Sequence, residues 1–161
     1  EIRDATAEDA AQICAIWNPI IRDTLITFTT QQKTTKNIKT AIHSAQTDNR
    51  PYLVAQQGEQ ILGFATYSPF RAGPGYARTM EHSVNLAPVA RGKGVGRALV
   101  QSLEAAAKKG EIHSLIAGVS GANPAAIAFH TALGFTKIAT IPDAGFKFDQ
   151  WLDLVLLQKL L

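Results

Sequence analysis

Seven residues, Arg91-Gly92-Lys93-Gly94-Val95-Gly96-Arg97, alternate three glycines with Lys93 and Val95 between two arginines. Glycine N–H groups approach a ligand closely because no Cβ stands in the way. A helix starting here adds unpaired N–H groups and the positive end of its dipole, so the run suits a phosphate or pyrophosphate. Arg91, Lys93 and Arg97 add positive charge. A nucleoside-triphosphate loop needs Ser or Thr after its Gly-Lys, and here Lys93 is followed by Gly94. A dinucleotide fingerprint needs a third glycine where Arg97 stands. The spacing that fits is [Gln/Arg]-x-x-Gly-x-[Gly/Ala], read from Arg91 to Gly96. The bland alternative is a glycine-rich turn whose basic residues are solvated.

Glu81 is the second chemical candidate. It sits in an otherwise apolar stretch, Thr79 to Ala87, that leads to the glycine run. Desolvation there raises a carboxyl pKa towards the range useful to a general base. Its alternatives are a solvent-facing residue or an ion-pair partner of Arg78 or Arg91. His82 points to the opposite face, because strand side chains alternate. The four histidines (43, 82, 113 and 130) lack metal-ligand spacing, so no metal is expected. Cys14 stands alone on an apolar helix face and reads as a buried thiol.

These residues need a scaffold, and the chain supplies an α/β pattern over residues 1–161, read as a single domain. A short strand at 1–3 precedes a helix that Thr6 caps, with apolar positions from Ala10 to Ile20. Residues 24–30 are β-branched and aromatic and are expected to be extended; 31–47 form a second helix. Strands follow at 52–56 and 60–68 around a turn at 57–59, with a loop at 71–76 and a third long strand at 79–87. A helix over 98–107, a strand at 112–119, a helix at 124–133, and strands at 135–141 and 150–158 complete the order. Within 123–135, Asn123 is a helix N-cap, Ala126, Phe129 and Leu133 a buried stripe, and Gly134 the stop.

Composition excludes several classes. With 46% hydrophobic and 18% charged residues the chain is neither disordered nor membrane-like, and no apolar run has the length of a membrane span. The net charge of +3 is spread out, without aromatic interleaving, so neither nucleic acid nor membrane is expected as a partner. Lack of a signal-peptide region and of paired cysteines points to the cytoplasm.

The glycine run and the segment Asn123-Pro124-Ala125-Ala126-Ile127-Ala128-Phe129-His130-Thr131-Ala132-Leu133-Gly134-Phe135 together resemble the GCN5-related N-acetyltransferase (GNAT) superfamily. His130, Thr27 to Thr30, Thr79 to Val84 and Gly145 to Asp153 extend the resemblance to the branch that acetylates phosphinothricin and methionine sulfoximine or sulfone. The resemblance implies a mixed, mostly antiparallel sheet with helices on both faces, splayed between the strand ending near Leu86 and the strand at 112–119. It implies acetyl-CoA as co-substrate, its pantetheine arm along Val84, Asn85 and Leu86 and near Asn123. The pyrophosphate would lie on Arg91, Gly92, Lys93, Gly94, Val95, Gly96 and Arg97. Glu81 would take the amine proton, directly or through water, and His130 stands where many members carry a tyrosine that protonates the leaving thiolate. Phe28, Arg71, Gly75 and Tyr76 would contact a small amino acid, Arg71 meeting its carboxylate. Ala77 and Asn85 depart from the relatives and imply a roomier pocket. A homodimer is implied as well, in line with the apolar segments Trp151-Leu152 and Val155-Leu156-Leu157. Other amines, a protein N-terminus or a polyamine, stay open, as does a non-catalytic acyl-CoA-binding domain, against which Glu81 and His130 both argue.

Overall fold

The computed structural model describes residues 1–161. Strand β1 (Ile2–Asp4) leads through a 3-10 turn into helix α1 (Ala10–Asp23). The entry is fixed by Asp9, whose carboxylate accepts from the Thr6 N–H at 2.8 Å and from the Arg3 guanidinium at 2.9 Å through both oxygens. The Arg3 hydrogen bonds hold the Asp9 carboxyl below its usual range. Thr6 is thus the N-cap of the turn, as expected, in a capping box with Asp9.

Residues 24–30 bend rather than extend. Thr24 explains this: its hydroxyl donates to the Ile20 carbonyl at 2.6 Å and accepts from the Ile26 N–H at 3.3 Å. Such local bonds compete with strand pairing. Helix α2 (Thr35–Thr47) follows, capped by Thr34 accepting from the Asn37 N–H at 3.1 Å.

Strands β2 (Tyr52–Gln57), β3 (Gln60–Pro69), β4 (Thr79–Leu86), β5 (Ser114–Ser120), β6 (Thr136–Lys147) and β7 (Gln150–Leu160) join β1 in one sheet of order β1-β2-β3-β4-β5-β7-β6. Every neighbouring pair is antiparallel except β4–β5, whose parallel crossover contains helix α3 (Val95–Lys109). The mixed, mostly antiparallel sheet is as expected. Helices α1 and α2 bury Ile13, Ile38 and Ile42 with Val54 and Phe64 on one face. On the other, α3 buries Leu99, Val100 and Leu103 with Leu115 and Leu157, and Leu133 and Phe135, which follow α4 (Pro124–Ala132), join the same core. Cys14 lies in the first of these cores, and burial pushes its thiol pKa up. No helix is long and apolar enough to cross a membrane.

The C-terminal hairpin departs from expectation. Strand β6 runs on to Lys147, carried past Pro142 by an irregularity between Ile141 and Gly145 in its register with β7. Phe148 and Asp149 then turn with φ of 52° and 56°, the geometry of a tight two-residue hairpin. Val155 and Leu157 are core residues, as is Leu152, so they offer nothing to a second copy. Ile138, Phe146, Phe148 and Trp151 on the same hairpin are at least half exposed.

Candidate active site

Strands β4 and β5 pair only from Thr79–His82 to Ser114–Ala117, although β4 continues to Leu86 and β5 to Ser120. Beyond these four pairs the strands part, at the expected place. Hydrogen bonding identifies which backbone groups the parting leaves bare. Thr79 O and the Ala87 N–H bond towards β3, whereas Arg78 O accepts from the His113 and Ser114 N–H groups on the β5 side. By strand alternation, the N–H and C=O of Val84 and Leu86 face the gap.

The gap opens towards the start of α3, where a cleft of about 640 Å³ is lined by Val84, Asn85, Leu86, Arg91, Gly92, Gly94, Gly96, Arg97, Asn123, Phe129 and His130. Gly92 and Gly94 have φ of 73° and 78°, and nothing stands within 4 Å of where their Cβ atoms would be. That open, left-handed turn leaves the first amides of α3 without helical partners. An anion therefore meets amides and the Arg91 and Arg97 guanidiniums together, which fits the pyrophosphate of acetyl-CoA. Gly96 has another job: a Cβ there would meet the Phe129 ring at 3.2 Å, so its absence lets α3 and α4 pack. Lys93 and Val95 fall on the far side of the turn, in a separate cavity of about 310 Å³ beside Gln56 and Gln57. Their side chains are not part of the cleft.

A smaller cavity of about 170 Å³ occupies the gap itself and shares Val84, Asn85, Asn123, Ala126 and His130 with the cleft. Its other wall is Trp17, Thr27 and Ile26, the last of which also lines the cleft. Asn123 caps α4 through its Oδ1, which accepts from the Ala126 N–H at 3.2 Å, leaving its amide N–H2 free. Glu81 Oε2 lies 2.6 Å from where a Gly118 Cβ would stand, so any larger residue at this place on β5 would push the carboxylate aside. Burial raises the Glu81 pKa. Neither Arg78 nor Arg91 pairs with it, since the chain's four ion pairs involve other carboxylates.

His82 does lie on the face opposite Glu81, and His130 lies with it. Their Nε2 atoms are 2.9 Å apart, and His130 Nδ1 is 2.8 Å from the Ala126 carbonyl oxygen. Glu81 and His130 are thus on opposite sides of the strand. Both imidazoles are buried, which pushes their pKa values down. Nδ1 of His82 has no partner within the protein.

Of the substrate-binding candidates, Phe28 packs its ring on Gly145, 2.7 Å from where a Cβ would be, and is half-buried beside Thr27. Arg71, Gly75 and Tyr76 are exposed in the β3–β4 loop and line neither cavity. The reason is topological: that loop precedes β4, whereas the strands part at its other end. Alternation alone did not reveal Lys147. It is 1% exposed, and its ammonium donates to the Thr27 carbonyl at 2.9 Å and to Thr27 Oγ1 at 3.2 Å, with no carboxylate in reach. Burial pushes its pKa down. This lysine holds the α1–α2 loop, and with it the cavity wall, against β6. The available signal was a lone lysine between two phenylalanines.

Comparison with known proteins agrees with this geometry. Residues 2–156 match the acetyltransferase (GNAT) domain family. A Salmonella typhimurium protein named L-methionine sulfoximine/L-methionine sulfone acetyltransferase is 34% identical over 157 residues, 98% of this chain and 92% of that one. The crystal structure of a ribosomal-protein-alanine N-acetyltransferase from Brucella melitensis superposes with a TM-score of 0.96 at 37% identity, covering 100% of this chain and 99% of that one. A phosphinothricin acetyltransferase from Sinorhizobium meliloti, solved in complex with acetyl-CoA, does so at 0.95 and 31% identity, covering 100% and 88%. With its parted strands and glycine turn, and with nearly its whole length matched, the chain belongs to the GNAT acetyltransferase family.

Proposed function

We propose that residues 1–161 act as one catalytic unit, a cytoplasmic enzyme that transfers the acetyl group of acetyl-CoA to the α-amine of a small amino acid. The observation that carries this is the parting of β4 and β5 beside an unpaired, half-buried Glu81. Acetyl-CoA supplies a thioester carbon that a neutral amine attacks directly. Gly92, Gly94, Arg91 and Arg97 hold its pyrophosphate, while the bare groups of Val84 and Leu86 bind its arm as an added strand would. Asn85 and the Asn123 amide line the same path. A backbone N–H at the gap steadies the charge developing on the carbonyl oxygen, worth about 3–4 kcal/mol by analogy with known oxyanion donors.

An ammonium cannot attack, so a base must take its proton. Glu81 does this, directly or through one water, and its raised pKa brings it nearer the amine. No acyl-enzyme is needed, and Cys14 is enclosed in the opposite core. Coenzyme A departs as the thiolate and takes up the proton that the nitrogen sheds as the amide forms. The small cavity in the gap, walled by Thr27 with Phe28 behind, favours a compact acceptor such as methionine sulfone, methionine sulfoximine or phosphinothricin, the kinds of substrate named for the relatives. A protein N-terminus is the second reading, motivated by the name of the Brucella neighbour.

The exposed apolar side chains of the β6–β7 hairpin, with Phe146 and Trp151 rings 4.8 Å apart, support pairing of two copies there. Light scattering at tens of micromolar is expected to give twice the 17.3 kDa chain mass; a monomer contradicts the dimer.

Thiol release with the three amino acid analogues, spermidine and a short alanine-initiated peptide tests the substrate class. The analogues are expected to have the highest kcat/KM, and faster turnover of spermidine or the peptide overturns the small-amino-acid reading while leaving the family.

Glu81→Gln is expected to lower kcat by about 10²–10⁴-fold at neutral pH, the usual contribution of a positioned base, with acetyl-CoA binding retained. Glu81 works as a carboxylate, so wild-type activity falls as pH drops through its raised pKa. The variant loses that acid limb and partly recovers as pH rises and free amine accumulates. A variant profile identical to wild type removes Glu81 from this role.

A further inference from the structure

The two buried histidines form a unit whose protons can be placed by elimination. His130 Nδ1 faces the Ala126 carbonyl oxygen, which only accepts, so Nδ1 carries a proton. The contact between the two Nε2 atoms also needs one proton between them. Burial disfavours a second proton on either ring. A neutral imidazole has a single N–H, and that of His130 is already at Nδ1. The proton between the rings therefore belongs to His82 Nε2, and His82 Nδ1 is bare, as its lack of a partner agrees.

We propose that His82 is a positioning residue for acetyl transfer: by donating from Nε2 it locks, together with the Ala126 carbonyl, the tautomer and ring plane of His130, which walls both cavities. The inference rests on the acetyltransferase reading of the site. It also gives the pair a direction. Every N–H points from His82 towards Ala126, so the resting pair has no proton to give, and its one basic nitrogen is His82 Nδ1. The surroundings leave this order undisturbed. Phe129 and Phe135 pack edge-on against His130, β5 places Ala117 opposite His82, and Glu81 lies on the other face of β4. The one cation on β7 near this cluster, Lys159, lies 6.0 Å from the Phe135 ring centre and is paired with Glu104 at 2.8 Å. None of the chain's carboxylates lies within 4.0 Å of either imidazole.

Histidine ¹⁵N NMR on the full chain, with and without coenzyme A, reads the tautomers directly. The expected result is His82 protonated at Nε2 and His130 at Nδ1, with both rings taking up a second proton only at lower pH than an ordinary imidazole. His130 protonated at Nε2, or either ring charged at neutral pH, overturns the inference. In kinetics, His82→Phe removes the donor, loosens the His130 ring that walls both cavities, and is expected to lower kcat about 10- to 100-fold, as a shift of about 1 Å beside the reacting atoms does. KM for acetyl-CoA stays near wild type, and a new acid-side titration appears from the freed His130. His82→Gln keeps an N–H donor near the same place, so it recovers most of that loss and shows no new titration. Equal kcat and pH profiles for the two variants mean that His82 only fills space, and the inference fails. Wild-type thiol release with an amine tests the acetyltransferase reading separately. Should His82→Phe not fold, the wild-type tautomers and the His130 tautomer in His82→Gln decide, and His130 switched to Nε2–H there overturns it.

Discussion

Four residue pairs between β4 and β5 are the constraint on which the rest of this structure depends. Had the pairing run to the ends of both strands, Val84 and Leu86 would bond to β5 and no arm could lie between. Had it been shorter, Glu81 would lose the β5 backbone that fixes it against Gly118. A parallel pair also requires a crossover, and that crossover is what brings α3 and its glycine turn to the mouth of the gap. Helix α4 then closes the gap from one side and α1 with its loop from the other. The wedge holds because both helices are anchored: α3 by Leu99 and Leu103 in the core, α4 by Phe129 seated on Gly96.

The charges around the gap are placed one at a time rather than in pairs. Glu81, the His82–His130 couple and Lys147 are all withdrawn from water, and none has an opposite charge beside it. Each is therefore shifted towards its neutral form by burial. For Glu81 that shift raises basicity, and an ion pair with Arg78 or Arg91 would have cancelled it. Lys147 differs in purpose: its two bonds to Thr27 tie the irregular α1–α2 loop to the sheet, so the wall of the smaller cavity is held by a polar clamp instead of apolar packing. The ion pairs lie elsewhere, and one of them, Arg3–Asp9, shapes the entry to α1.

Much of this was legible in the residues. The glycine turn, the strand before it, and the Asn123 cap are local features whose side chains act on their own backbone, and sequence reports such features well. The place where the strands part came from resemblance, because pairing between distant segments leaves little local trace. Misreadings share that cause. Residues 24–30 have strand composition, yet Thr24 bonds locally and turns the chain. Arg71 has suitable chemistry for a carboxylate but sits at the end of β4 away from the gap. Gly96 reads like its neighbours in the run, although its lack of a Cβ serves α4 and not a ligand. Val155 and Leu157 look like interface residues until they are seen packed in the core with Leu99 and Leu103 of α3. His82 and His130 are 48 residues apart, so nothing in their spacing announces a 2.9 Å contact.

The central claim is that one bound molecule bridges the parted strands and the start of α3. Backbone amide chemical shifts of the ¹⁵N-labelled chain, followed as acetyl-CoA is added, test it most directly. The account predicts the largest changes at Val84 and Leu86 and at Gly92 to Arg97 together, at a common midpoint, with the exposed β3–β4 loop unmoved. Saturable binding that shifts the α3 amides but leaves Val84 and Leu86 unchanged, or that moves neither group, would contradict it.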